Sequence, residues 1–308
     1  MKPIWPAAVG LAAMALAAFA AAETASGDWL YPAGVRGAAA KADAKALRRL
    51  PGSKAGFTDA QLGDLGHAVD WRPAEHPPMP PAVAEGQGPA GACGYCHLPD
   101  GAGRPENASL AGLPADYIRR QVADFASGAR AKGSAFRPIQ LMTDTAQGVD
   151  PKAAAQAADY YSRLKFTAHV RVVEADRIPP FVAEHFVYGF GKGTRVPLGQ
   201  RILEGPDSMQ RFELRDSHVG FVAYVPKGAI ARGAALAAPC SACHGVGLKG
   251  GLGPPLAGRS PTYIARQLFA FRTGTRSNPE AAPMRATAGG LNDTQIIDLA
   301  AYAGSLRP

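Results

Sequence analysis

All four cysteines of this 308-residue chain fall in two short motifs, Cys93-Gly94-Tyr95-Cys96-His97 and Cys240-Ser241-Ala242-Cys243-His244. Cys-x-x-Cys-His is the c-type haem attachment sequence. Cysteines three apart share one face of a helical turn, so both sulfurs reach the two vinyl groups of one porphyrin. The histidine that follows points its imidazole at the iron. Other uses of such cysteines fit less well. A thioredoxin-like pair needs no following His and needs a βαβ setting, which the pattern lacks. A four-cysteine zinc site leaves both histidines unexplained. Disulfides within each motif would be short and strained. Two motifs that use every cysteine point to two covalently attached haems c, with His97 and His244 as iron ligands.

The elements that must hold these motifs come in an internal repeat. Leu110-Ala111-Gly112, Tyr117, Ile118, Arg120, Gln121, Phe125, Gly128 and Arg130 are matched, at an offset of 146, by Leu256-Ala257-Gly258, Tyr263, Ile264, Arg266, Gln267, Phe271, Gly274 and Arg276. The segments read as equivalent helices, the second capped by Ser260 and opened by Pro261. A methionine follows each, Met142 and Met284. The pattern then resumes at offset 142, from Thr145 to Leu164 and from Thr287 to Leu306, with Asn292 and Gln295 as a capping-box start. Each half therefore reads as haem motif, loop, helix, Met loop, helix. A thioether on the far side of the iron favours the ferrous state and fills the last coordination position. The matched placement of Met142 and Met284 makes them the expected sixth ligands. Met79 and Met209 lack repeat partners and read as packing or loop residues. Arg120, Gln121 and Arg130, with Arg266, Gln267 and Arg276, are polar residues repeated on otherwise apolar helices. They read either as contacts to haem propionates, where Arg offers paired donors, or as a solvated face.

Lys2, the apolar run from Ala7 to Ala20 and the small residues Ala20-Ala21-Ala22 read as a signal peptide over 1–22. The run is short for a membrane span, with an uncleaved N-terminal anchor as the alternative. Export to the periplasm is the expectation. Net charge is +8, which suits acidic protein partners or peripheral contact with anionic lipid. Nucleic acid is not an expected partner in that compartment.

The order Cys-x-x-Cys-His, helix with Tyr-Ile-x-x-Gln, Met, C-terminal helix resembles the class I cytochrome c domain. Two in one exported chain resemble the periplasmic dihaem cytochromes c of the c-four type. The resemblance covers about 86–166 and 232–308. It implies a mainly α fold of two tandem class I cytochrome c domains, axial pairs His97–Met142 and His244–Met284, and electron transfer between respiratory components. In that family a Pro carbonyl often orients the axial His. Pro254 and Pro255 fit, but the first half has Asn107-Ala108-Ser109, so His97 is expected to be held differently.

Two segments carry no haem motif. Residues 23–85 contain a short helix at Asp59, capped by Thr58, and a Pro-rich run from Pro77 to Pro81, and read as a wrap or linker. His67 and His76, which lie there, compete weakly with the methionines as ligands. Residues 167–231 hold β-branched or alternating runs at Val170–Val173, Arg211–Leu214 and Val219–Val225 and read as a small β insertion. It would dock a partner or clamp the two haem domains. His169, His185 and His218 read as surface or structural residues.

The functional expectation is an electron carrier, not an enzyme. Its partners would be redox proteins: a periplasmic dehydrogenase, a terminal oxidase or another cytochrome. The alternative is a dihaem peroxidase, which needs one openable iron and a distal acid or base that the repeat does not offer.

Overall fold

The computed structural model describes residues 27–32, 34, 46–131 and 133–308. The signal-peptide reading falls outside them. The fold is mainly α, with a small sheet region between two helical halves and a two-stranded antiparallel ladder, Leu47–Arg49 with Gly56–Thr58, in the N-terminal segment. Among the described residues no helix is long and apolar enough to cross a membrane.

The first half contains α1 (Cys93–His97), α2 (Ala115–Ala126), α3 (Arg137–Gly148) and α4 (Pro151–Arg163). Asp150 caps α4 through the amides of Lys152 and Ala153, with Pro151 in the first turn, where its missing N–H costs nothing. Leu113, Ile118, Ala158 and Tyr161 bury the facing stripes of α2 and α4.

The middle segment forms β1 (Val170–Glu174), β2 (Phe181–Glu184), β3 (Val187–Phe190), β4 (Leu203–Pro206) and β5 (Phe221–Val225). One sheet has the order β1-β5-β4, with β1 parallel and β4 antiparallel to β5, while β2 and β3 form a hairpin. Phe221, Ala223 and Val225 are buried in alternation, the period-2 pattern visible in the sequence. Arg211–Leu214, expected as a strand, is not one. A helix, α5 (Met209–Glu213), runs there instead, because Ser208 caps the Arg211 amide and Met209 and Phe212 share one buried face at helical spacing.

The second half repeats the helices: α6 (Ala229–Leu236), α7 (Ser241–His244), α8 (Pro261–Arg272), α9 (Ala282–Gly289) and α10 (Asp293–Ser305). Ser260 caps α8 with Pro261 in its first turn, and Asn292 and Gln295 form a full capping box on α10. One core joins this half to the sheet, packing Ile178, Leu203 and Val225 with Ile264, Ile296 and Ala300. Met142 and Met284 sit inside α3 and α9 rather than in loops. Pro138 and Pro283 occupy early positions of these helices, where the first turn tolerates proline.

The N-terminal segment is a clamp. Trp29 packs edge-on to Phe269 of α8, and Tyr188 donates to the Trp29 carbonyl at 3.0 Å. Thr58 and Gln61 form the capping box of a helix at Asp59–Leu62. The Pro-rich run stays extended at Pro80 and then enters a helical turn, Pro81–Ala84, which buries Val83. Trp71 donates to the Leu214 carbonyl at 2.6 Å, and Arg72 pairs with buried Asp216 at 3.2 Å. Wrap and insertion are thus tied to each other as well as to the helices.

Candidate functional site

In each half the haem motif forms a single helical turn, which sets both cysteines and the histidine on adjoining faces. The chain then reverses. Gly245 follows His244 with φ 75°, and a Cβ there would lie 2.1 Å from the Gly250 carbonyl oxygen. Only glycine meets that turn without strain. Leu98 takes the matching position with φ 65°, held there by burial. The reversal brings a backbone carbonyl to each imidazole. His97 Nδ1 donates to the Ala108 carbonyl at 2.8 Å and His244 Nδ1 donates to the Pro254 carbonyl at 2.8 Å. A carbonyl only accepts, so Nδ1 carries the proton and Nε2 keeps the lone pair that a metal needs.

These two bonds correct the expectation that His97 is held differently for want of a proline. The orienting group is a main-chain oxygen, which Ala108 supplies as well as Pro254 does.

Both histidines open into one cavity of about 1500 Å³, shared by the two halves. Its lining includes Cys96, His97 and Met142 from one half and Cys243, His244 and Met284 from the other. Burial lowers the His97 imidazole below its ordinary value, which favours the neutral, ligating form. Burial also pushes the Cys93 thiol up to about 12 and raises Cys96 and Cys240. His76 is instead paired with Asp70 and Tyr160, and His67 with Asp64. His218 lies against Glu75. A haem suits the groups present: paired thiols on one turn, an imidazole with its tautomer set, and a thioether in the same cavity. Each haem would add one-electron chemistry at iron.

The repeated polar residues meet between the halves. Arg130 donates to Gln121 at 2.7 Å, Tyr263 at 2.8 Å and Gln267 at 2.9 Å. Arg276 answers with Gln267 at 3.1 Å, Tyr117 at 3.1 Å and Gln121 at 2.6 Å. Main-chain bonds from Ala131 to the Thr275 carbonyl and from Ser277 to the Ala129 carbonyl close this pseudo-twofold seam. Burial alone would raise the Tyr117 phenol, yet Arg276 and Arg130 hold it below its ordinary value. The solvated-face reading therefore fails for the four seam residues Gln121, Arg130, Gln267 and Arg276.

Arg120 and Arg266 part company. Arg120 is exposed, whereas buried Arg266 spends its donors on the Leu30 carbonyl at 2.5 Å and the Pro105 carbonyl at 2.6 Å. Their repeat positions match, but only Arg266 is covered by the N-terminal wrap. Arg259, not singled out in the sequence, also bridges the halves, reaching the Ser109 and Ala111 carbonyls at 2.7 and 3.0 Å. Tyr117 and Tyr263 were legible as repeat identities, but their pairing with the arginines was not.

Two Cys-x-x-Cys-His turns, each ending in a histidine whose tautomer is set by a main-chain carbonyl, define a c-type cytochrome with two haem sites in one chain. Comparison with known proteins agrees. The Cytochrome c family model matches residues 230–307. "Cytochrome c4" of Azotobacter vinelandii is 26% identical over 228 residues, 73% of this chain and 89% of that protein. "Thiosulfate dehydrogenase electron acceptor" of Stutzerimonas stutzeri is 30% identical over 215 residues, 68% of this chain and 77% of that protein. The protein of that name from Thiomonas intermedia is 28% identical over 249 residues, 79% and 87% of the two chains. The chain belongs to the cytochrome c4 family of dihaem class I cytochromes c, electron carriers with two covalently bound haems.

Proposed function

We propose that this carrier uses two His/Met-ligated haems, His97 with Met142 and His244 with Met284, to relay electrons from a dehydrogenase to an acceptor in the periplasm. The observation that carries the reading is the shared cavity into which both histidines and both methionines open. With both axial positions taken by protein, iron passes electrons and has no open site for peroxide. Residues 86–166 and 232–308 are the two haem-bearing domains, and the described residues of 23–85, with 167–231, hold them in register. The seam supports a role for its arginines toward haem propionates, because the acceptors of Arg130 and Arg276 are amide and phenol oxygens and leave their charge uncompensated by a bonded carboxylate. Arg120 at the cavity rim and Arg266 in its wall belong to the same proposal. The named electron acceptors among the relatives support a dehydrogenase as donor. Peripheral contact with anionic lipid is compatible with the net charge of +8.

The test is ligand replacement. Met142→His and Met284→His should each lower the potential of one haem and remove one thioether signal from the proton NMR spectrum of the reduced protein. Both signals persisting in the double variant would reject the ligand assignment. Rapid peroxide turnover by the wild-type protein would reject the carrier reading.

A further inference from the structure

One helix end in the insertion carries an unexpected residue. α5 (Met209–Glu213) closes with the Arg215 amide donating to the Phe212 carbonyl at 3.0 Å and the Asp216 amide to the Arg211 carbonyl at 3.1 Å. This pair of bonds puts residue 215 in the left-handed region, where glycine is favoured because it has no Cβ. An arginine stands there instead, with φ 57°. A non-glycine residue keeps such a conformation only where its surroundings fix it. Here the side chain reaches out of the insertion and onto the first haem motif.

The Arg215 guanidinium lies 3.3 Å from the centre of the Tyr95 ring, within the Cys93–His97 turn. Its Nη1 donates to the Tyr95 carbonyl at 2.9 Å. Its Nε donates at 3.3 Å to the Leu62 carbonyl, which also accepts from the Tyr95 hydroxyl at 3.1 Å. Tyr95 is buried, a setting that strengthens a cation over a ring face. Neither residue lines the haem cavity, so the contact does not depend on what fills it. The carboxylates around Arg215 are committed to other cations. Asp216 is bound by Arg72 at 3.2 Å and Arg211 at 2.7 Å, Glu213 faces His185 at 3.6 Å, and Glu106 pairs with Arg104 at 3.0 Å. The charge of Arg215 thus meets a ring and two main-chain oxygens, one residue away from Cys96. The second motif has Ala242 at the place of Tyr95 and offers no ring to stack on.

We infer that Arg215 is a positioning residue of the first haem site, through which the insertion fixes a positive charge beside the attachment turn and raises the reduction potential of the haem bound at Cys93 and Cys96. The physical reason is that a reduced haem carries one positive charge less than an oxidised one, so a neighbouring cation favours the reduced form. Because the contact is made to one turn only, the effect falls on one haem. The inference rests on the ligand reading above only for telling the two haems apart.

The test is redox titration of the intact dihaem protein. Arg215→Gln should lower one of the two one-electron steps about tenfold in its equilibrium constant, about 59 mV, and leave the other in place. The methionine variants identify the step. In a Met284→His background the step that stays high belongs to the first haem, and Arg215→Gln should lower it. In a Met142→His background the step that stays high belongs to the second haem, and Arg215→Gln should not move it. Arg215→Lys keeps the charge and should retain most of the wild-type potential. Arg215→Gly suits the left-handed backbone, keeps the measurement possible should the Gln variant not fold, and should lower the potential as far. Two unchanged steps, an equal fall of both, or a fall in the Lys variant as large as in the Gln variant would overturn the inference. Failure of the ligand reading would show separately, as methionine variants that leave both potentials in place. The Arg215 variants would then still have to lower one step and spare the other.

Discussion

Each imidazole is oriented by one main-chain oxygen, and the side chain behind that oxygen is secondary. Ala108 and Pro254 both accept from a histidine Nδ1 at 2.8 Å. Pro254→Ala should therefore leave the potential of the second haem close to its wild-type value, in contrast to the large fall expected for Met284→His. Redox titration of the two variants side by side measures the contrast. A fall of similar size in Pro254→Ala would show that the proline ring itself matters. The expectation of a specially held His97 failed for a physical reason. Sequence records which side chain sits in the loop, but it does not show that either residue offers its carbonyl to the same nitrogen.

The helices begin where local chemistry says they should, and α8 shows what a cap adds when it is buried. Ser260 Oγ donates to Glu204 Oε2 at 2.8 Å and the Thr262 amide donates to the same oxygen at 3.0 Å, so a carboxyl from β4 anchors the start of a helix in the second half. Burial pushes that carboxyl above its ordinary value of 4.5, despite the bonds that favour its charged form. A folded-state value above the unfolded one means that the folded protein binds the proton more tightly. The associated stability is present below pH 4.5 and is lost as pH rises through the raised value. Glu204→Gln keeps an acceptor oxygen without the charge. Its melting temperature should rise relative to the wild type between pH 4 and pH 7. An unchanged difference across that range would show that Glu204 does not titrate abnormally. At this scale the caps at Thr58, Ser260 and Asn292 were legible, because capping is decided within four residues. The helix at Met209–Glu213 was not, because a short run whose polar and apolar residues alternate takes its period from what it packs against.

Across the whole molecule, the seam joins two halves that repeat each other. Arg130 and Arg276 share Gln121 and Gln267 as acceptors. Replacing Arg130 by Met leaves buried amide and phenol oxygens short of a donor, at a cost of about 1–3 kcal/mol for a group left without one. Arg130→Met should lower stability in denaturant unfolding by that order. Arg276→Met should do the same, and the double variant should cost more than the sum, since each glutamine oxygen keeps one arginine donor in either single variant and loses both in the double. Additive losses would mean that the two arginines act independently.

The sequence by itself determined the chemistry of the sites. The two Cys-x-x-Cys-His motifs state covalent haem attachment because the spacing of three sulfur and nitrogen groups lies within a single turn. The repeat at offsets 146 and 142 states that two similar halves exist. Tertiary structure alone decided how the halves meet, because the partners that Arg130 and Arg276 find in the opposite half lie more than a hundred residues away in the chain. It likewise decided which motif is covered. Gly94 and Ser241 are equivalent in sequence, but burial is a property of what folds over a residue, and only the first turn lies beneath the wrap and the insertion.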